Sequence, residues 1–293
     1  MKVMITIPAY NEQRTIGRLV SDIKQVMDRT KYDYKVLVVD DGSRDATARV
    51  AREAGAMVVS HPINYGLAET FRTEIQACLK IGADVILHTD ADGQYLASDM
   101  PRLLEPIGLG YDLVLGSRFR GKIEYMPWIK RLGNVAFSNV ISRIIRMRIS
   151  DCQTGFRAFT RRVAESIVLT SSHTYTQEQI IKAVRQKFRV VEVPVYFAKR
   201  YGKSRLMKGP FEYAFRAWIN ILRIYRDYEP LKFFGWVGAF FILTGFLLGL
   251  WLVYLFLTTG VVGHLPSTIL TMLLIITGVQ IVLFGFLADM NRK

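Results

Sequence analysis

From Phe233 to Ala288 the chain contains no Asp, Glu, Lys or Arg. A helix needs about 20 apolar residues to cross a hydrocarbon layer roughly 30 Å thick. The charge-free stretch has room for two crossings and a short turn, near Leu231 to Leu257 and Pro266 to Ala288. The alternative, an apolar hairpin inside a soluble core, would need an unusually charge-free interior. Cysteine is scarce: Cys78 and Cys152 stand far apart, forming neither a metal-binding pair nor a disulfide framework, as suits a reducing compartment. No secretory signal is expected, because Met1 and Lys2 lead directly into Val3-Met4-Ile5-Thr6-Ile7-Pro8, too short for an h-region. Internal repeats, low-complexity tracts, zinc-finger spacing, basic zippers and RNA-recognition signatures are all missing.

What is present is positive charge. The 293 residues carry a net +14, much of it between Arg118 and Arg226, next to the apolar segment. An excess of this size fits nucleic acid, an anionic membrane surface or a phosphate-rich substrate. Without nucleic-acid signatures the last two are favoured, and no nucleic-acid partner is expected. The link Thr258 to Leu265 has no Lys or Arg, whereas Arg223, Arg226 and Lys232 precede the first span and Arg292 and Lys293 follow the second. The positive-inside rule then places the N-terminal domain and both termini on the cytoplasmic side of a cell membrane.

The first half alternates apolar β-rich runs with helical patterns. Strands are expected at Val3 to Ile7, Lys35 to Val39, Ala56 to Ser60, Asp84 to Thr89 and Leu113 to Gly116. Helices are expected at Glu12 to Met27, Asp45 to Ala54, Ala68 to Ile81, Pro127 to Arg148, Ala164 to Leu169 and Gln177 to Phe188. Arg189 to Phe197 reads as a strand broken by Pro194. This order predicts an α/β, Rossmann-like doubly wound sheet that binds ligands beyond the carboxyl ends of its strands. The domain should cover 1–205, followed by an amphipathic juxtamembrane region over 206–230 and a transmembrane hairpin over 231–293. From Pro210 to Asp227, Phe211, Phe215, Trp218, Leu222 and Tyr225 fall on one helical face, with Glu212, Arg216, Asn220, Arg223 and Asp227 on the other. Such a helix lies in a bilayer interface or packs on the soluble domain; the adjoining span favours the interface.

Three motifs follow strands. Asp90-Ala91-Asp92-Gly93-Gln94 puts two carboxylates at i and i+2 on a turn, where both can reach one hard divalent cation shared with substrate phosphates. Alone, such a pair is equally an ordinary loop. Asp40-Asp41-Gly42-Ser43 offers acceptors for a base or ribose, or else starts a helix with Ser43 or Asp45 as N-cap. Pro8-Ala9-Tyr10-Asn11-Glu12 ends the first strand in the same manner, and is also readable as a capping turn.

Together these motifs resemble the family 2 glycosyltransferases of the GT-A fold. Gly116-Ser117-Arg118, Asp151-Cys152-Gln153-Thr154-Gly155-Phe156-Arg157, Glu192-Val193-Pro194-Val195 and Arg200-Tyr201-Gly202-Lys203-Ser204 narrow the resemblance to the dolichol-phosphate mannose synthase and polyprenyl-phosphate glycosyltransferase group. The likeness covers about residues 3 to 210, and the two spans resemble members with a transmembrane hairpin. It implies that Pro8, Tyr10, Glu12, Asp40 and Asp41 form a nucleoside pocket, and that Asp90, Asp92 and Gln94 hold Mg²⁺ or Mn²⁺ and the donor diphosphate. Arg118, Arg131 and Arg200, with Ser204, would gather donor and acceptor phosphates, for which the guanidinium fork is suited. One departure is Asn64-Tyr65-Gly66-Leu67-Ala68-Glu69, which lacks the second glycine of the group's Asn-x-Gly-x-Gly-x-Ala run.

The resemblance implies transfer of a hexose from a nucleotide-sugar to dolichyl or polyprenyl phosphate. GDP-mannose is the first expectation, with UDP-glucose and UDP-N-acetylglucosamine open. A phosphate oxygen is already ionised at neutral pH, so no strong general base is required, and none of the four histidines lies in these motifs. Alignment and charge stabilisation would drive an inverting in-line attack. Asp151 would steady the arrangement or act as a base. Gln177-Glu178 would border the sugar pocket, or Glu178 would simply serve the helix dipole. Glu192 should pair with an arginine. Alternatives are a membrane glycosyltransferase with another lipid or polysaccharide acceptor, or a non-catalytic nucleotide-sugar binding protein. No Gln-x-x-Arg-Trp motif of processive synthases is present, and the intact Asp90 and Asp92 oppose the binding protein. A homo-oligomer is open.

Overall fold

The structure is a computed structural model and describes residues 1–169, 175–199, 210–261 and 265–291. The chain divides into two compact units, Met1–Ala214 and Phe215–Lys293.

The first unit is built on strands β1 (Lys2–Ala9), β2 (Asp33–Asp40), β3 (Met57–Ser60), β4 (Val85–His88), β5 (Leu113–Ile123), β6 (Arg157–Thr160) and β7 (Val190–Phe197). Their helices are α1 (Ile16–Met27), α2 (Thr47–Glu53), α3 (Leu67–Ile81), α4 (Met100–Gly108), α5 (Trp128–Ile145), α6 (Arg161–Ser166) and α7 (Tyr175–Arg185). The strands form one seven-stranded sheet in the order β3-β2-β1-β4-β6-β5-β7. The apolar face of α1, with Ile16, Leu19, Val20, Ile23 and Met27, shares one buried core with Val3, Ile5 and Ile7 of β1. Burying each such side chain stabilises the fold by about 1.5–3 kcal/mol relative to exposure.

Three local expectations need correction. The sheet is mixed: β6 runs antiparallel to both β4 and β5, while the other pairings are parallel. Four residues beginning with an arginine give no periodic signal, so β6 was not legible. Pro194 does not break β7, which runs through it unbroken. An edge strand is paired on one side only, so a residue without an N–H is accommodated there. Helix α4 was also unforeseen. Its Pro101 sits in the first turn, where no N–H is needed, and Met100, Leu103, Leu104 and Ile107 are buried.

The second unit contains most of α8 (Pro210–Tyr228), then α9 (Pro230–Thr259) and α10 (Leu265–Met290). Helix α8 exposes Trp218, Arg223, Arg226 and Asp227. Helices α9 and α10 are both long and apolar enough to cross a membrane, with a hydropathy of 2.4 each and only 6% and 11% of their most apolar windows buried. They pack through glycine. A β-carbon on Gly238 would come within 2.6 Å of Gly278 O, and one on Gly278 within 2.8 Å of Gly238 O. Close backbone approach of this kind is how helices associate where lipid removes the hydrophobic driving force. Outside the seam, Trp236, Phe240, Leu257 and Phe284 stay exposed, unlike the interior of a soluble domain.

Candidate active site

Parallel pairing brings the carboxyl ends of β1, β2, β4 and β5 to one edge of the sheet, and the antiparallel β6 starts at that same edge. The motif-bearing loops are therefore neighbours. Pro8 is buried at the end of β1, and Tyr10 is 37% exposed beyond it. The loop after β1 is stitched to the loop after β2. Asn11 N donates to Ser43 Oγ (2.8 Å), Arg44 N to Asn11 Oδ1 (2.8 Å) and Glu12 N to Thr47 Oγ1 (2.8 Å). Ser43 is therefore a tether between loops rather than an N-cap. Ala46 holds the cap position, and Asp45 accepts from Thr47 N at 3.0 Å.

The two acids after β2 diverge. Asp40 Oδ1 accepts from Ser43 N at 3.3 Å. Asp41 is buried, and its carboxylate is engaged by Tyr65 N (2.8 Å), Gly66 N (2.9 Å) and His61 Nδ1 (2.8 Å). Asp41 thus anchors the segment after β3. Gly42 makes the anchor feasible, because its φ is +70° and a β-carbon would lie 2.4 Å from Ile63 C. His61 was overlooked, although it follows a strand as directly as the recognised motifs do. Its Nε2 also meets Thr73 Oγ1 at 2.9 Å. A cavity of about 530 Å³ opens here, lined by His61, Tyr65, Ala68, Glu69, Arg72 and Thr73.

Asp90 and Asp92 flank the turn after β4, both half-buried. Asp92 Oδ1 accepts from Gln94 N at 3.1 Å. The side-chain amide of Gln94 donates to Ala198 O at 3.2 Å, and Ala198 N returns a bond to Gln94 O at 2.8 Å. The acidic turn is thus tied to the exit of β7. Continuing the β4–β6 register beyond His88 and Arg157 sets Gly155 opposite Asp90. A β-carbon on Gly155 would lie 2.8 Å from Asp90 Oδ2, so only glycine leaves room for that carboxylate. No described residue donates a hydrogen bond to it. An oxygen-only pair of carboxylates fits a hard divalent cation. Among the described residues no three His, Cys, Asp or Glu side chains converge on one point.

Arg118 and Asp151 form a buried ion pair. Arg118 Nε donates to Asp151 Oδ2 and Nη2 to Oδ1, each at 2.7 Å, and Arg118 N adds a third bond at 3.1 Å. Both side chains are buried, and each is the other's charge partner. Burial pulls the Arg118 guanidinium down, but Tyr95 and Asp151 outweigh it and leave its pKa raised. Glu192 pairs with Arg120 at 3.3 Å, as expected of an arginine partner, and also accepts from Ser150 N (2.9 Å) and Asp151 N (3.0 Å). Arg131 is exposed near the start of α5. Gln177 and Glu178 are buried in the first turn of α7, with Glu178 paired to Lys182 at 2.7 Å. Arg200, Ser204, Arg292 and Lys293 lie outside the described residues.

A mixed sheet with an acidic turn beyond the carboxyl ends of its parallel strands is the architecture of the GT-A glycosyltransferases. The comparisons agree. Residues 4–168 match the glycosyl transferase family 2 model, and residues 229–290 match the GtrB C-terminal hairpin. The chain belongs to glycosyl transferase family 2 and is a glycosyltransferase with a membrane-associated hairpin. It is 30% identical to Glycosyltransferase AglJ of Haloferax volcanii, over 98% of this chain and 93% of that protein. It is 32% identical to a dolichyl-phosphate hexose transferase of the same organism, over 69% of this chain and 85% of that one. Mannosyl-3-phosphoglycerate synthase from Rubrobacter xylanophilus shares the fold, with a TM-score of 0.60 at 21% identity over 76% of this chain and 74% of that chain.

Proposed function

We propose that this enzyme transfers a hexose from a nucleoside diphosphate sugar to a dolichyl or polyprenyl phosphate at the cytoplasmic face of a cell membrane, with inversion at the anomeric carbon. The observation that carries this reading is the Asp90–Asp92 turn, opened by Gly155, at the ligand edge of a sheet whose chain also bears an apolar hairpin. The match of residues 229–290 to a hairpin family and the name of the dolichyl-phosphate relative support the acceptor class.

Asp90 and Asp92, with Gln94, would hold Mg²⁺ or Mn²⁺, which supplies neutralisation of the diphosphate leaving group. Asp40, Tyr10, Glu12 and Pro8 surround the nucleoside. Arg131, with Arg200 and Ser204, receives the acceptor phosphate. Because that nucleophile arrives ionised, the residues position and screen, and no side chain has to remove a proton. The Arg118–Asp151 pair fixes the middle of β5 against the loop before β6. GDP-mannose remains the first donor to try.

The test is a donor panel. Membranes holding the chain are mixed with one polyprenyl phosphate, Mg²⁺ or Mn²⁺, and labelled GDP-mannose, UDP-glucose or UDP-N-acetylglucosamine. Label in the lipid-phosphate fraction, lost in Asp90→Ala and Asp92→Ala, is the expected result. Sugar on another acceptor, or donor binding without turnover, would replace this reading.

A further inference from the structure

Arg157 is fully buried, yet no described carboxylate lies within ion-pair distance of it. Its Nη1 donates to Thr176 O (3.0 Å) and Gln179 Oε1 (2.9 Å), its Nη2 donates to Thr154 O, and its Nε has no partner among the described residues. Every acceptor is neutral. A buried cation without a counter-charge is strongly unfavourable; the Tyr175 ring, 5.9 Å from the guanidinium, offsets part of that cost, and an acid at longer range would offset more.

The nearby acids can be sorted. Glu74 is occupied by His88 at 2.7 Å. Asp151 is held by both nitrogens of the Arg118 fork. Asp90 remains. Arg157 is the register partner of His88, two residues before Asp90, and Gly155, two residues before Arg157, lies against the Asp90 carboxylate. Burial pushes the Arg157 guanidinium down, and the groups that pull it back up are Tyr175, Tyr95, Asp90 and Cys152, of which only Asp90 is a carboxylate.

We propose that Arg157 is the resident counter-charge of Asp90: a positioning residue that weakens capture of a divalent cation until a nucleoside diphosphate brings its own negative charge. The inference rests on the reading of Asp90 as a metal ligand. A fixed positive charge behind a carboxylate lowers the potential that attracts a cation. A bound diphosphate restores that potential, so metal and nucleotide each tighten the other by the same factor. The enzyme then loads its metal together with its donor rather than alone.

The experiment measures Mn²⁺ binding to the full chain in nanodiscs, from the electron paramagnetic resonance signal of free Mn²⁺, alone and with GDP or UDP. Wild type should bind Mn²⁺ weakly alone and about tenfold or more tightly with the better nucleotide. Arg157→Met should bind Mn²⁺ alone about tenfold more tightly than wild type, with less gain from nucleotide. Arg157→Lys, which keeps the charge, should behave like wild type. A lost packing role could weaken binding but not strengthen it. Folded Arg157→Met with unchanged or weaker Mn²⁺ binding would overturn the proposal. If that variant does not fold, a wild type whose Mn²⁺ affinity is insensitive to nucleotide overturns it instead. Asp90→Ala separates the two readings. Mn²⁺ binding that survives in this variant removes the metal site itself, whereas loss there without tightening in Arg157→Met removes only the role of Arg157.

Discussion

Gly155 stands against the carboxylate of Asp90, where a β-carbon would come within 2.8 Å of Oδ2 and 2.9 Å of Oδ1. The contact is to the far end of one side chain, so the fold can absorb an added methyl by moving Asp90. Gly155→Ala should therefore change stability by no more than about 1 kcal/mol. Its kcat should fall about 100-fold, because displacement of about 1 Å at a reacting centre has that effect. A thermal melt alongside sugar-transfer kinetics checks both, and an unaltered kcat would show that the pose of Asp90 is unimportant.

The Arg118–Asp151 pair makes the opposite prediction. Removing one member leaves a buried charge unanswered, at a cost of about 3–5 kcal/mol. Asp151→Asn should lower the denaturation midpoint accordingly. If it melted like wild type and lost only turnover, the side chain would be acting chemically.

Gly42 combines a φ of +70° with a backbone neighbour that cannot yield, Ile63 C at 2.4 Å from a β-carbon. Gly42→Ala should destabilise by about 2 kcal/mol or more. It should also raise the KM for the donor, because the Asp41 anchor and the Asp40 turn share this backbone. Chemical denaturation and donor titration would reveal it.

Cys78 and Cys152 are buried thiols. Burial pushes the Cys152 thiol up to about 12 and raises Cys78 as well. Neither should react with a maleimide at pH 8 in the native protein, and both should react after unfolding. Below their ordinary value of 9.0 both thiols are protonated whether the chain is folded or not. As pH rises from there towards 12, the unfolded chain loses protons that the native state retains. Native stability should therefore fall across that window. Rapid labelling of the native form at pH 8 would contradict the burial.

In the hairpin, the backbones of Gly238 and Gly278 leave no space for a side chain. Gly278→Leu should separate the helices. With Gly249→Cys and Thr271→Cys introduced across the same seam, oxidative cross-linking should be efficient with Gly278 intact and largely lost in Gly278→Leu. Undiminished cross-linking would mean that the helices pair by another face.

Much of the strand-and-helix order was readable because its signal is local. Val3 to Ile7 and Lys35 to Val39 are apolar runs, and Ile16, Leu19, Val20 and Ile23 recur at helical spacing. The acidic turn at Asp90 was readable for the same reason, as it directly follows such a run. β6 was not readable, since Arg157 to Thr160 become a strand only because β4 and β5 flank them. Pro194 misled because an edge position cannot be inferred from the strand alone. His61 went unnoticed because nothing near it in sequence announces its acid, Asp41, twenty residues earlier.

The sequence by itself determined where the chain turns apolar, where most strands and helices lie, and which acids follow strand ends, for these depend on neighbours a few residues away. Only the tertiary structure decided which charges face substrate and which face each other. Asp41 went to the loop after β3, Arg118 to Asp151, and Arg157 to the interior. The physical reason is that a buried charge must find its partner in space, and strand order, not sequence distance, sets which partners are within reach.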